Sequence, residues 1–251
     1  MTDSLSPSAC ADLIRQSKCT VALTGAGIST AAGIADFRGP EGLYNSGKYD
    51  ADRVFDISHF YSDPREFFRF TRDLIEIIGR IQPTFTHRFL AEMEKRQLLE
   101  AVITQNIDPL HHLAGSRSVL SVHGDYATAH CLTCRREYSF EELIDLLDKM
   151  EIPTCDCPGR GVVKPDVVFF GEAVQALHPA QQLARRCDLM LVLGSSLVVY
   201  PAAMLPELAT GSVVVVNQGP VGLPPAPNRY FIQKDLDQYF QDVAKNLALE
   251  T

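Results

Sequence analysis

Val21-Ala22-Leu23-Thr24-Gly25-Ala26-Gly27 sets a short apolar run directly against a glycine-rich turn. An apolar run of that length, bounded by glycine, reads as a strand buried on both faces. The same pattern recurs outward from it, at Ala101–Ile103, Val119–Val122, Val167–Phe170, Leu189–Leu193 and Val213–Val216. Between these runs lie amphipathic stretches with helical spacing: Pro64–Ile81, Thr86–Leu99, Phe140–Met150, Pro179–Arg186 and Leu236–Leu247. Ser6-Pro7 supplies a cap and first residue for a further helix through Leu13 and Ile14. Alternation of this kind predicts an α/β fold on a largely parallel sheet with helices on both faces. Gly219–Asn228, with four prolines, reads as a surface loop.

The residues at the end of each run are more telling than the run itself. Leu23 is followed by Thr24-Gly25-Ala26-Gly27, and Ile103 by Thr104-Gln105-Asn106-Ile107-Asp108. Val122 is followed by His123-Gly124, Leu193 by Gly194-Ser195-Ser196, and Val216 by Asn217. In an open parallel sheet the ligand crevice lies beyond the carboxyl ends of the strands, so five strands would deliver small or polar groups to one edge. A strand commonly ends in turn residues, so each motif alone is weak and the set carries the reading. Gly25-Ala26-Gly27 with Gly33 resembles a dinucleotide fingerprint with its last glycine displaced. Such a turn would bring backbone and a helix N-terminus to a diphosphate. No acidic residue sits cleanly at the end of the next strand to hold a ribose, which counts against simple hydride transfer.

The chain has 251 residues, 46% of them hydrophobic and 22% charged, the balance of an ordinary globular protein. The net charge of −8 excludes the basic excess of a duplex-binding module, so no direct nucleic-acid partner is expected. No apolar run reaches the roughly 20 residues that span a bilayer, and the N-terminus lacks a signal-peptide core. A cytoplasmic or other reducing location, with no membrane partner, is therefore expected, and a monomer.

Cys131-x-x-Cys134 is followed, 20 residues later, by Cys155-x-Cys157. In a chain with no secretion signal such a cluster reads as one structural zinc held by four thiolates, a closed shell with no catalytic position. His130 is an alternative ligand, and unrelated buried thiols are the bland reading. Cys10, Cys19 and Cys187 read as buried or incidental. Residues 39–83 and 125–165 break the strand–helix alternation. They are expected to form a smaller helical and zinc-ribbon module beside a main domain of residues 1–38, 84–124 and 166–251, with a cleft between.

In order along the chain, these motifs resemble the sirtuin (Sir2-like) family. They are Gly25-Ala26-Gly27-Ile28-Ser29, Gly33-Ile34-Ala35-Asp36-Phe37-Arg38, Thr104–Asp108, His123-Gly124, four cysteines, Phe169-Phe170-Gly171-Glu172, Gly194-Ser195-Ser196 and Asn217. The resemblance implies a Rossmann-like domain with a zinc module, and an NAD-dependent deacylation of lysine that releases nicotinamide and O-acetyl-ADP-ribose. By position, Gln105 and Asp108 would engage the nicotinamide end, and Asn106 the ribose or attacking water. Phe37 would shield the reactive face, and Arg38 would meet the diphosphate. Thr30, Asp36, Ile107, Ser195, Ser196, Asn217, Asp235 and Leu236 would complete the cofactor set. His123 would take a proton from a ribose hydroxyl, a task suited to imidazole with its ordinary pKa of about 6.5.

The resemblance also implies an acyl-lysine peptide lying between Gly171-Glu172 and Leu197-Val198, with Val168, Phe170 and Val198 along an apolar tunnel. Family members that prefer acidic acyl groups carry a Tyr and an Arg three apart. Here those positions hold Phe68 and Thr71, which implies neutral acyl groups, acetyl above succinyl. Two rival readings share the cofactor: mono-ADP-ribosyl transfer to protein, and a non-catalytic NAD-binding reader of acylated lysine. His123 with Asn106 and Asp108 favours deacylation, since a reader needs no general base.

Overall fold

The computed structural model describes residues 5–35, 48–174 and 176–250. Strands β1 (Thr20–Thr24), β2 (Ala101–Thr104) and β3 (Val119–Ser121) come first, followed by β4 (Thr128–Cys131), β5 (Glu137–Ser139) and β6 (Val163–Pro165). Strands β7 (Leu189–Leu193), β8 (Ser212–Val216) and β9 (Arg229–Ile232) complete the set. Six strands form one sheet in the order β3-β2-β1-β7-β8-β9, with every pairing parallel. Strands β4–β6 form a separate antiparallel sheet, ordered β5-β4-β6.

The period-2 alternation of side chains splits the main sheet between two cores. Ala22, Val102, Leu191 and Val214 face one, against helices α1 (Pro7–Gln16), α5 (Phe85–Lys95) and α9 (Leu236–Leu247). Val21, Leu23, Ile103, Met190 and Val215 face the other, against α8 (Leu177–Arg186). Both faces of the central strands are thereby buried, which is why their sequences are unbroken apolar runs. The helices start where hydroxyl and carboxylate caps occur. Ser6 accepts from the Ala9 N–H, and Asp235 accepts from the Gln238 N–H.

A third core joins the remaining helices to the small sheet. Helices α2 (Ala51–Val54), α3 (Ile57–Ser62) and α4 (Arg65–Ile78) bring Phe55, Phe60, Phe67 and Phe68 against Phe169. Phe67 and Phe169 lie 4.8 Å apart between ring centroids, and Phe60 and Phe169 lie 5.1 Å apart at 82°. Such aromatic pairs add roughly 0.5–1.5 kcal/mol each beyond their area burial. Helix α7 (Phe140–Lys149) closes this core, started by a capping box between Ser139 and Glu142. Helix α6 (Leu110–Leu113) is a single turn after β2. Among the described residues no helix is long and apolar enough to cross a membrane.

Two expectations are corrected. Val167–Phe170 is not a sheet strand: it runs extended, bonded to loops on both sides. The Val168 N–H donates to His123 O at 2.8 Å, and the Phe170 N–H donates to Phe55 O at 2.7 Å. Its alternation turns Val167 and Phe169 into the third core and leaves Phe170 exposed. Strand β9, unforeseen in the sequence, forms the sheet edge, where only Ile232 of its four residues is buried.

Candidate active site

The strand order reverses between β1 and β7, and at that switch point their two glycine turns close on each other. The Gly25 N–H donates to Leu193 O at 3.0 Å, and the Gly27 N–H donates to Gly194 O at 2.9 Å. Gly194 has φ +64°, and a Cβ there would fall 2.5 Å from the Ile28 nitrogen. These glycines therefore serve first to let two backbones touch. The turn leads into single 3-10 turns, Ala26–Ile28 and Thr30–Ala32, so among the described residues no α-helix follows it directly. The helix-dipole expectation for this loop is withdrawn.

Ser29 ends the first of those turns, fully buried beneath the crevice. Its hydroxyl accepts from Asn106 Nδ2 at 3.1 Å and donates to Asp108 Oδ2 at 2.9 Å. Asp108 Oδ1 accepts from the Leu110 N–H, so the carboxylate starts α6 as well. Burial pushes the Asp108 pKa up, and the Leu110, Ser29 and Asn106 bonds pull it back. Ser29 was missed as a site residue. Its place after Gly-Ala-Gly-Ile was the available signal, but its partners lie 77 and 79 residues away.

Gln105 crosses from β2 to β7, its Nε2 donating to Ser195 Oγ at 2.9 Å. Its backbone carbonyl meets His123 Nδ1 at 2.8 Å. His123 is held from behind as well, because a Cβ on Gly124 (φ +68°) would lie 1.8 Å from Asp166 O. Burial draws the His123 pKa down, and the Gln105 bond works against that. Asn106, Asp108, Gln105 and His123 thus converge beyond the ends of β2 and β3, next to the paired glycine turns.

Past Ser195, Leu197 takes φ +52°, a left-handed turn worth about 1–3 kcal/mol of strain in a residue with a Cβ. Its side chain is buried while Val198 is 45% exposed, so the turn presents Val198 outward. Phe170 is 50% exposed, and Gly171 is also exposed. Glu172 instead turns inward, accepting from the Phe169 N–H and from Lys164.

The other expected cofactor residues are held by local contacts of their own. Thr30 Oγ1 donates to Gly27 O, and Asn217 Nδ2 to Gly219 O. Asp235 caps α9, and the Leu236 side chain packs into the first core. Ser196 O accepts from the Gly222 N–H. Ile107 packs against the third core. Asp36, Phe37 and Arg38 lie outside the described residues.

The four cysteines meet, with all sulfurs within 4.8 Å of one another. Cys131 and Cys157 are 3.9 Å apart, and Cys134 and Cys155 are 3.6 Å apart. Zinc–thiolate bonds of about 2.3 Å in a tetrahedron require sulfurs roughly 3.8 Å apart, so the donor set fits zinc. Burial raises the Cys131 pKa, but the N–H groups of Cys134 and Thr133 outweigh it and favour thiolate. The unusual C-x-C pair is no obstacle. His130 is not a member of this cluster: its Nδ1 lies 2.8 Å from Asp166 Oδ1.

The model of the Sir2 family matches residues 25–201. The NAD-dependent protein deacetylase of Thermotoga maritima is 48% identical over 214 residues, covering 83% of this chain and 85% of its own length. A solved structure of Sir2 with deacetylated p53 peptide and 3'-O-acetyl-ADP-ribose aligns with a TM-score of 0.90. It is 41% identical and covers 98% of this chain and 100% of that one. Another, of Sir2 with p53 peptide and NAD+, aligns at 0.84 with 42% identity, covering 93% and 95%. The chain belongs to the Sir2 family.

Proposed function

We propose that the protein is an NAD-dependent lysine deacetylase in which His123 is the general base. NAD, as co-substrate, would supply the ribosyl carbon that loses nicotinamide and receives the acyl oxygen. A ribose hydroxyl would then attack the acyl carbon, and a water molecule would complete the cleavage of its bond to the lysine nitrogen, giving O-acetyl-ADP-ribose and free lysine. The observation that carries the assignment is the His123–Gln105 bond. A carbonyl only accepts, so Nδ1 carries the proton and Nε2 keeps its lone pair. Nε2 then takes the ribose hydroxyl proton as that oxygen attacks. Asn106 and Asp108, tied through Ser29, orient the ribose and the nicotinamide end, with Gln105 beside them. Ile107 lies between Asn106 and Asp108 at the same end. The paired turns of Gly25–Gly27 and Gly194–Ser196 receive the diphosphate and adenosine half, with Thr30, Asn217, Asp235 and Leu236 at its margin.

The acyl-lysine peptide enters between Gly171-Glu172 and Leu197-Val198, with Val168 and Phe170 along its path. Of the expected smaller module, residues 39–83 and 125–165, the described part from residue 48 onward walls that cleft. Phe68 and Thr71 are fully buried, with Thr71 Oγ1 3.1 Å from the Tyr126 hydroxyl. The adjacent Arg72 is spent on the carbonyls of Phe68, Leu147 and Glu151. Acetyl is therefore preferred to succinyl. Cys131, Cys134, Cys155 and Cys157 would hold zinc, which supplies a crosslink within the module. The protein works as a monomer in the cytoplasm.

Incubation with NAD and an acetyl-lysine peptide, followed by mass, tests the function. Free lysine with acetylated ADP-ribose is expected. A gain of ADP-ribose on protein, or unchanged peptide and NAD, would overturn it. Faster turnover of a succinylated twin would overturn the acyl preference.

A further inference from the structure

Lys164 lies in β6, opposite His130 and one residue after the partner of Cys131. Its side chain is only 8% exposed, a rare state for an ammonium unless paired and hydrogen-bonded. Nζ donates to Val167 O at 2.7 Å and to Glu172 Oε2 at 3.0 Å, and sits 4.3 Å from the Phe169 ring centroid. The same Glu172 oxygen accepts from the Phe169 N–H at 2.9 Å. The whole turn from Val167 to Glu172 is therefore wrapped around one buried cation. Its outer side carries Val168, bonded to His123 O, and the exposed Phe170 and Gly171.

We infer that Lys164 is a positioning residue for the acyl-peptide: paired with Glu172, it shapes the Val167–Glu172 turn against which the peptide lies. This rests on the deacetylase reading. The ammonium never reaches substrate; it fixes the backbone that does. It also ties that backbone to β6, which pairs with the strand carrying the first zinc ligand, so this side chain is one link between the small sheet and peptide binding. A buried ion pair is poor at adding net stability and better at fixing one conformation, and fixing the turn is the role of this one.

Binding of a fluorescent acetyl-lysine peptide, read by anisotropy, tests this without turnover. Lys164→Met is expected to weaken peptide binding, and to raise the peptide KM, by about tenfold or more. NAD KM should stay within about twofold, and Lys164→Arg, which keeps the charge, should recover most of the loss. Glu172→Gln, close in volume, should give the same split and serves if the Met variant does not fold. Unchanged peptide affinity in these variants, or equal losses for NAD and peptide, would overturn the inference. A wild-type protein that binds peptide and never deacylates it would instead overturn the functional reading.

Discussion

His123 Nδ1 lies 2.8 Å from the backbone carbonyl of Gln105, and that bond selects the tautomer with the proton on Nδ1 and the lone pair on Nε2. Burial lowers the His123 pKa, with the Gln105 bond opposing. A base with a lowered pKa stays neutral further into acid, so activity is retained as pH falls through neutrality. The single-turnover rate of acyl release, at saturating NAD and peptide, should lose its acidic limb with a midpoint below about 6.5. A midpoint above that value would contradict the assignment.

His123→Ala should cut acyl release by roughly 10²–10⁴-fold, the usual worth of general-base catalysis. Because the imidazole is held from the β3 end and not by the glycine turns, NAD affinity should change little. Calorimetric titration of NAD into the variant separates the two effects. A parallel collapse of NAD binding would show that His123 holds the cofactor and does not act as its base.

Ser29→Ala removes one hydroxyl that satisfies two buried groups. Asn106 loses an acceptor and Asp108 a donor, each at a cost of about 1–3 kcal/mol. Activity should fall by about tenfold or more, with the fold retained. Ser29→Thr keeps the hydroxyl and, if its methyl is accommodated, should restore much of it. Wild-type kinetics in Ser29→Ala would mean the hub has no catalytic consequence.

Much of this arrangement could be read from the chain, for definite reasons. Four of the six parallel strands are apolar runs because both of their faces are covered, Val119–Ser121 is a half-buried edge, and the polar ends of all five mark one edge of the sheet. The edge strand Arg229–Ile232 escaped because three of its residues are only half-buried and show no clean period. Val167–Phe170 was legible as extended chain but not as a segment bonded to His123 and Phe55, since periodicity reports faces and not partners. The Ser29 bonds, and the edge-on contact of His87 with His111, depend on contacts between distant segments. Local pattern is blind to those.

Gly194→Ala should be severe. Its φ of +64° disfavours any Cβ, and that atom would sit 2.5 Å from the Ile28 nitrogen. The two turns would be forced apart just where NAD is expected to bind. Loss of NAD binding with a lowered thermal midpoint is expected; a variant binding NAD like wild type would refute the paired-turn reading.

Metal analysis should find one zinc per chain, lost on Cys155→Ser or with a strong chelator. The main sheet does not depend on those thiolates, so NAD binding should survive the loss. Peptide binding should not, because β6 leads into the turn on which the peptide is proposed to lie. Measuring both affinities before and after chelation decides it, and loss of both together would show that the two sheets do not behave separately.

His87 and His111 are buried with ring centroids 4.7 Å apart, under the end of β1. His111 Nε2 lies 2.9 Å from Thr24 Oγ1, while His111 Nδ1 and His87 Nε2 have no hydrogen-bond partner. Burial, then the Arg88 charge, brings the His87 pKa down to about 3. Burial, His87 and His112 lower that of His111 as well. Both pKa values are lower folded than unfolded, so their neutral forms favour the native state. For His87 that contribution is complete above about pH 6.5 and is lost as pH falls toward about 3, and His111 acts in the same direction. Urea unfolding should therefore show stability dropping through this window. A His87→Gln, His111→Gln double variant should be less stable at pH 7.5 yet show a shallower drop. Equal slopes in the two proteins would mean that these imidazoles are not what makes the fold acid-sensitive.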